Sequence, residues 1–297
     1  MVANDWPTFN PSIASDGDGF RMVVRSENIQ DYNRGEVYYN SEIRTNVSYL
    51  VQLDGDLQVL AVNQIDEESV AFDRYPGQSV GFQDLRPIRV DGKWWGIGNS
   101  WELSPEQRPE MVMVRLEDFH MTDVRPLRWS ESIGPEKNWM PFIHQDKLHF
   151  IYSCDPTIVL RYEQSAATLS VARRSDEQVL TTTLRGGSQG VPLGKDGFLF
   201  VVHETHVQDK RLHYPHRFVR FDSDLRFVEI SEPFTFTGDS REFCAGAAMV
   251  GSELILSFGV RHTEAWLATL PLLEALALLR PVQGHTPSAL ANDPSHA

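Results

Sequence analysis

The residues best equipped for chemistry recur at the ends of short, aromatic-rich strand pairs. They fall into five groups: Asn10, Arg25 and Asn28; Asp84, Arg86 and Asn99; Glu136, Lys137, Asn138 and Asp155; Arg185, Ser188, His203 and Glu204; and Glu242, Arg261 and His262. Carboxylates, guanidinium groups and imidazoles converging on one axis suit a ligand rich in hydroxyls, with sugars the best fit, and a carboxyl of raised pKa among them would serve as a general acid. Trp101 and Trp139 stand beside these positions, where an indole can stack on a sugar ring. Taken singly, each polar residue is equally a turn residue or half of an ion pair between strands. Arg185-Gly186-Gly187-Ser188 has the look of a phosphate cradle, although a glycine pair is more often a tight turn and no strand, glycine-rich loop and helix surround it. His213, His216 and Arg217 would suit a phosphate or diphosphate. No third ligand is fixed beside the two histidines, so no metal is expected.

The elements that must position these groups are strands. Five segments share one form, a strand, a short turn with Asp, Gly or Gln, and a second aromatic-rich strand; they begin at residues 12, 83, 138, 188 and 243. Weaker strand pairs lie between them, so the repeating unit has about four strands. The last four starts are spaced by 55, 50 and 55 residues, the period of propeller blades rather than of a sandwich. The expected fold is all-β, a five-bladed β-propeller in one domain over residues 1–280. The longer first interval of 71 residues places an insertion around residues 64–81. A short Leu/Ala helix from about Pro271 is expected to cap the ring, and residues 281–297 read as a flexible tail. Trp94 and Trp95 alternate to opposite faces of one blade, so both are expected in the core.

With 27 Lys plus Arg against 41 Asp plus Glu, the 297-residue chain carries a net charge of −14, which repels a phosphate backbone and excludes nucleic acid as the expected partner. No run approaches the roughly 20 apolar residues that span a bilayer. Residues 1–20 lack the basic start and apolar stretch of a secretory signal, so the expected location is cytoplasmic. Cys154 and Cys244 are far apart and read as buried free thiols.

The order of "NPSI" (10–13), "QDLRPIRVDGKWW" (83–95), "EKNWMPF" (136–142), "GVPLGKDGFLFVVHE" (190–204) and "AGAAMVGSELILSFGVRHTEAWLA" (245–268) resembles the five-bladed propellers of glycoside hydrolase family 130, the β-mannoside phosphorylases and related mannosidases. The resemblance implies inverting cleavage of a β-mannoside, with Asp84 of Gln83-Asp84-Leu85-Arg86 as the acid and phosphate or water attacking from the opposite face. One protein carboxyl then suffices for phosphorolysis, where an inverting hydrolase needs two. Lys137, Arg185 and His203, with Ser188, His216 and Arg217, are the expected phosphate ligands; Arg25, Asn28, Arg86, Asn99, Trp101, Asn138, Trp139, Asp155, Glu242 and His262 are the expected glycoside ligands. No cofactor is expected beyond inorganic phosphate as co-substrate. Family members commonly end the last inner hairpin with an aspartate that contacts the sugar, and His262 stands there instead. That departure keeps two alternatives open: a glycosyltransferase using a phosphate-bearing donor, and a noncatalytic sugar-binding propeller. Despite the net charge, one channel mouth is expected to be basic from Lys137, Arg185 and Arg217.

Overall fold

Asp91 and Gly92, with φ of 48° and 73°, close the hairpin between Phe82–Val90 and Lys93–Ser100. Both values belong to the two-residue turn whose twist matches that of the strands it joins. The computed structural model describes residues 5–282 apart from 34–35, 40–41, 69, 76, 133, 209–210 and 240, and such hairpins build five antiparallel blades. Blade 1 comprises Thr8–Asp16, Gly19–Glu27, Arg44–Leu53 and Val59–Gln64; blade 2 comprises Phe82–Val90, Lys93–Ser100, Glu110–Glu117 and His120–Pro126. Blade 3 comprises Met140–His144, Lys147–Ser153, Ile158–Glu163 and Thr168–Arg174. In blade 4 the inner edge is split between Leu184–Gly186 and Val191–Pro192, followed outward by Phe198–Glu204, His216–Phe221 and Phe227–Ser231. Blade 5 has Glu242–Val250, Glu253–Val260 and Glu264–Pro271.

The apolar core is divided into five clusters, one per seam. Val23 and Leu50 of blade 1 meet Leu85 and Val112 of blade 2; Trp95 and Met113 of blade 2 meet Trp139 and Phe150 of blade 3. Phe142 meets Phe200 between blades 3 and 4, Phe218 meets Phe258 between blades 4 and 5, and Ile255 meets Ile13 and Phe20 where blade 5 returns to blade 1. A blade apolar on both faces is satisfied only between two others, which closes the row into a ring. Trp95 accordingly faces blade 3, while Trp94 points the other way, half-buried at the blade 1 seam under the Arg21 guanidinium, 4.8 Å from the ring centroid. Cys154 and Cys244 are buried free thiols.

The chain departs from the expected repeat in three places. The extra length of blade 1 is divided: a hairpin of Ile29–Asn33 and Glu36–Tyr39 sits between its second and third strands, and the remainder is the segment up to Val80. Among the described residues blade 5 has three strands, where four were expected. The helix Leu272–Ala277 packs Ala275 into the blade 4–5 cluster, after which Leu279–Pro281, expected to end the helix and, at 281, to begin the flexible tail, instead forms an outer strand on Phe227–Ser231 of blade 4, with Val282 buried in the blade 3–4 cluster. From 283 onward the expected tail lies outside the described residues. No backbone ladder joins blades 1 and 5 among the described residues; their seam is made by side chains, by Ile13 N–H donating to Ser257 Oγ (3.2 Å), and by glycine at 246, where a Cβ would fall 2.4 Å from Ile13 N.

Candidate active site

The inner strands lose register against their partners between Phe9 and Ser12 in blade 1, Gln83 and Arg86 in blade 2, and Cys244 and Gly246 in blade 5. Asn10 and Asp84 occupy two of these bulges with φ of 47° and 53°, and Asn138, at the head of blade 3, has φ of 62°. Asn and Asp tolerate the left-handed region better than other side-chain-bearing residues. A bulge re-aims the side chain it carries, and all three side chains line a cavity of about 420 Å³ at one mouth of the channel.

Asp84 Oδ1 accepts hydrogen bonds from Asn10 Nδ2 (2.9 Å) and Arg25 Nη1 (3.2 Å). Burial alone would raise this carboxyl, but the Arg25 charge, the Asn10 hydrogen bond and the Arg86 charge hold it below the ordinary carboxylate range. Asp84 is therefore ionised at neutral pH. Arg25 also donates from Nη2 to Glu27 Oε2 (3.0 Å), and Arg44 Nε lies 3.2 Å from Glu27 Oε1, so Glu27 is locked between two guanidinium groups. Arg44 in turn lies over the Trp101 ring at 5.3 Å.

The rest of the lining is largely cationic. Lys137 of blade 3 and Arg185 of blade 4 line the cavity, and neither has an ion-pair partner among the described residues. Desolvation pulls the Lys137 pKa down, Asp84 opposes the shift and Arg185 reinforces it. With Arg25, Arg44 and Arg241 the lining carries five cationic groups against Asp84 and Glu27, the reverse of the whole chain's sign. His203, cross-strand partner of Arg185, also lines the cavity; burial first, then His216 and Arg185, push its pKa far down, so it is a neutral imidazole. Burial, aided by Arg25, likewise pulls His262 down to about 4.

Of the expected ligands, Arg25, Asp84, Asn99, Trp101, Lys137, Asn138, Arg185, His203 and His262 are brought together at this cavity. The others are not in its lining. Arg86 is fully buried and spans the ring, donating from Nε to Gly187 O (2.6 Å) and from Nη1 to Asp84 O (3.2 Å), so it buttresses the catalytic candidate from behind. Trp139 is in the blade 2–3 seam, its Nε1 donating to Glu136 Oε2 (2.8 Å), and offers no stacking face to the cavity. Asn28 bridges Ile43 O and Thr45 N at the base of the inserted hairpin. The Asp155 carboxylate accepts from Val179 N and Leu180 N in a separate cleft, and Glu242 is spent on Phe236 N and Thr237 N. Ser188 accepts from Val201 N, and His216 Nε2 accepts from Cys244 N. Arg217 pairs with Glu204 and Ser231 O, leaving the basic mouth to the other cations. The Gly186-Gly187 pair serves close approach, since a Cβ on Gly186 would lie 1.8 Å from Asn138 O.

Sequence reasoning missed Glu27, Arg44, Arg241 and Tyr214 in the lining. Glu27 was within reach, two residues past Arg25 and so on the same strand face. Arg44 against Trp101 joins two blades, and no local pattern encodes it.

No family model and no curated protein matches the sequence. Solved structures do match its fold. A glycoside hydrolase of the family 130 mannoside phosphorylases, targeting β-1,2-mannosidic linkages in Candida mannan, superposes with a TM-score of 0.63 at 14% identity, covering 90% of this chain and 84% of the other. β-1,2-Mannobiose phosphorylase from Listeria innocua gives 0.63 at 12% identity, with 94% of each chain covered. The chain has the five-bladed fold of these propellers. A family 43 β-xylosidase/α-arabinofuranosidase from a compost microbial metagenome shares the architecture more distantly, with a TM-score of 0.54 at 8% identity over 90% of this chain and 91% of that one. At these identities the likeness is of fold, and the chemistry has to be argued from the site.

Proposed function

We propose that the chain is a carbohydrate-active enzyme that cleaves or forms a glycosidic bond with inversion, using phosphate as co-substrate and a β-mannoside as the glycoside. The observation that carries this reading is the pairing, across one channel mouth, of the Asp84 carboxylate with Lys137 and Arg185, two cations that have no ion-pair partner among the described residues. Hydrolysis with inversion calls for two working carboxyls separated by a water. The second carboxylate here, Glu27, is neutralised by Arg25 and Arg44. Phosphorolysis needs one acid and a held anion, and Lys137 and Arg185, with neutral His203 in the same lining, supply the hold.

Asp84 must gain a proton to act as acid. Phosphate seated against Lys137 and Arg185 offsets their field and adds its own negative charge, which raises the Asp84 pKa. In the direction of synthesis the ionised carboxylate is already correct: it takes the proton of the acceptor hydroxyl while phosphate leaves from the sugar 1-phosphate. Asn10, Arg25, Asn99 and Asn138 bind hydroxyls, and Trp101 offers an aromatic face. The same ionised Asp84 favours a second reading, an inverting transferase with a phosphate-bearing donor, in which the carboxylate acts only as base.

The test is phosphate consumption over a panel of β-mannosides, and phosphate release from mannose 1-phosphate with mannose acceptors, for wild type and Asp84→Asn. Phosphate-dependent turnover lost in the variant supports the phosphorylase. Turnover from nucleotide-sugar donors alone supports the transferase, and binding without turnover on either panel leaves the noncatalytic sugar-binding reading.

A further inference from the structure

The outer strand of blade 1, Val59–Gln64, carries no charged residue, and its outer edge pairs with no strand among the described residues. Both of its faces are exposed as well: Val59 by 61%, Leu60 by 66% and Val62 by 36%. Natural sheets guard such an edge with charge, proline or shortness. The other blades do so here: blade 2 with Asp123, Arg125 and Pro126, blade 3 with Arg173 and Arg174, blade 4 with a three-residue strand holding Arg280 and Pro281, and blade 5 with Glu264 and Pro271.

Acidic residues bracket the unguarded strand. Asp54 and Asp56 precede it, and Asp66, Glu67 and Glu68 follow it along a cavity of about 790 Å³ that Gln64, Phe119, His120 and Arg74 also line, the Arg74 charge being taken up by Glu102. This cavity opens between blades 1 and 2, away from the channel site. Within it Glu67 Oε1 is buried without a hydrogen-bond partner, while Phe119 is 40% exposed at the rim. Two copies of the strand running antiparallel would set the acidic start of each against the acidic end of the other, and like charges across a strand pair oppose it. The charge pattern selects a partner of the opposite sign.

We propose that Val59–Gln64 and the adjoining acidic cavity form a docking surface for an extended segment of a partner protein, with an uncharged β-rich centre and Lys or Arg at its ends. Main-chain pairing along the open edge supplies the attachment, and basic side chains at the ends of the segment meet Asp54 and Asp56 on one side and Asp66 and Glu68 on the other.

The probe is a fluorescent decapeptide, KKTVTVTVKK, with EETVTVTVEE and the proline-interrupted KKTVPVTVKK as controls, measured by anisotropy against the whole chain. The basic peptide is expected to bind, the proline peptide to fail, and the acidic peptide to bind at least about tenfold more weakly, the scale of a lost charge-assisted contact. Leu60→Lys should abolish binding and Glu68→Gln should weaken it, with both variants retaining wild-type circular dichroism and unfolding. Equal binding of basic and acidic peptides, no binding of either, or wild-type binding by folded Leu60→Lys overturns the proposal. So does a concentration-dependent dimer that Leu60→Lys dissolves, since the edge would then be filled by a second copy.

Discussion

At the scale of single residues, Asp84 owes its charge to its neighbours. Asn10 and Arg25 reach the same oxygen, so removing Arg25 should move the carboxyl up and shift the pH dependence of turnover towards neutrality. Arg25→Gln, assayed for phosphorolysis from pH 4 to 8 beside wild type, checks this; an unmoved alkaline limb, where the acid loses its proton, would put control of Asp84 elsewhere. Asp84→Asn keeps the shape and removes the proton, and should lower phosphate-dependent turnover by about 10²–10⁴-fold, the range of a lost general acid or base. The buried histidines act on stability. Burial holds His216 at about 3 and, with Arg25, His262 at about 4, so between these values and the unfolded value of 6.5 the unfolded chain binds more protons than the folded one. Stability should therefore rise with pH up to about 6.5 and fall in acid. His216→Gln, whose amide can still accept from Cys244 N, should flatten that slope in thermal unfolding between pH 4 and 7.

At the scale of elements, the inserted segment after blade 1 is fastened by carboxyls. Arg74 Nη1 lies 3.2 and 3.1 Å from the Glu102 oxygens, and Glu102 Oε2 accepts from Gly81 N (2.7 Å). Beside them Glu67 is raised to about 8, chiefly by burial and further by Glu102 and Asp66, against the pull of Arg74 and of a hydrogen bond from the Phe82 backbone. A raised carboxyl has the opposite sign to the histidines: the folded chain holds a proton from pH 4.5 to about 8 that the unfolded chain has lost, so stability drains as pH rises through that window. Glu67→Gln should remove this decline, measured as melting temperature at pH 5 and 8; an unchanged decline would assign it to another group. At the closing seam, Gly246→Ala should cost about 1–3 kcal/mol in denaturant unfolding, because the added methyl meets backbone that cannot yield. Much of this level was legible in the sequence. The Asp91-Gly92 turn and the 50–55-residue period announced hairpins and blades, because turn chemistry and alternation are local. Alternation could not announce the bulges at Asn10 and Asp84, which break it, nor that Trp139 turns into a seam while Trp101 stays at the mouth.

At the scale of the whole molecule, a cationic mouth sits on a chain of net charge −14. Phosphate should raise the melting temperature at low salt, less so once the ionic strength shortens the screening length below about 8 Å. Lys137→Ala with Arg185→Ala should abolish the effect; an equal rise in the double variant would place the anion elsewhere. The radial position of each residue was the information least available beforehand. Arg86, Asp155 and Glu242 read as ligands because they are polar near strand ends, and only closure of the ring sets which of them reach the mouth. Closure also has an order in time. Blades 1 to 3 are each contiguous in the chain, and each has all its strands as soon as its last residue leaves the ribosome, in keeping with synthesis from the N-terminus. Blade 4 cannot: its outermost strand is Leu279–Pro281, made only after all of blade 5. The strand Leu279–Pro281 thus fastens the fourth blade from outside like the tongue of a buckle, and a nascent chain released before Leu279 would leave that blade unfinished at the edge.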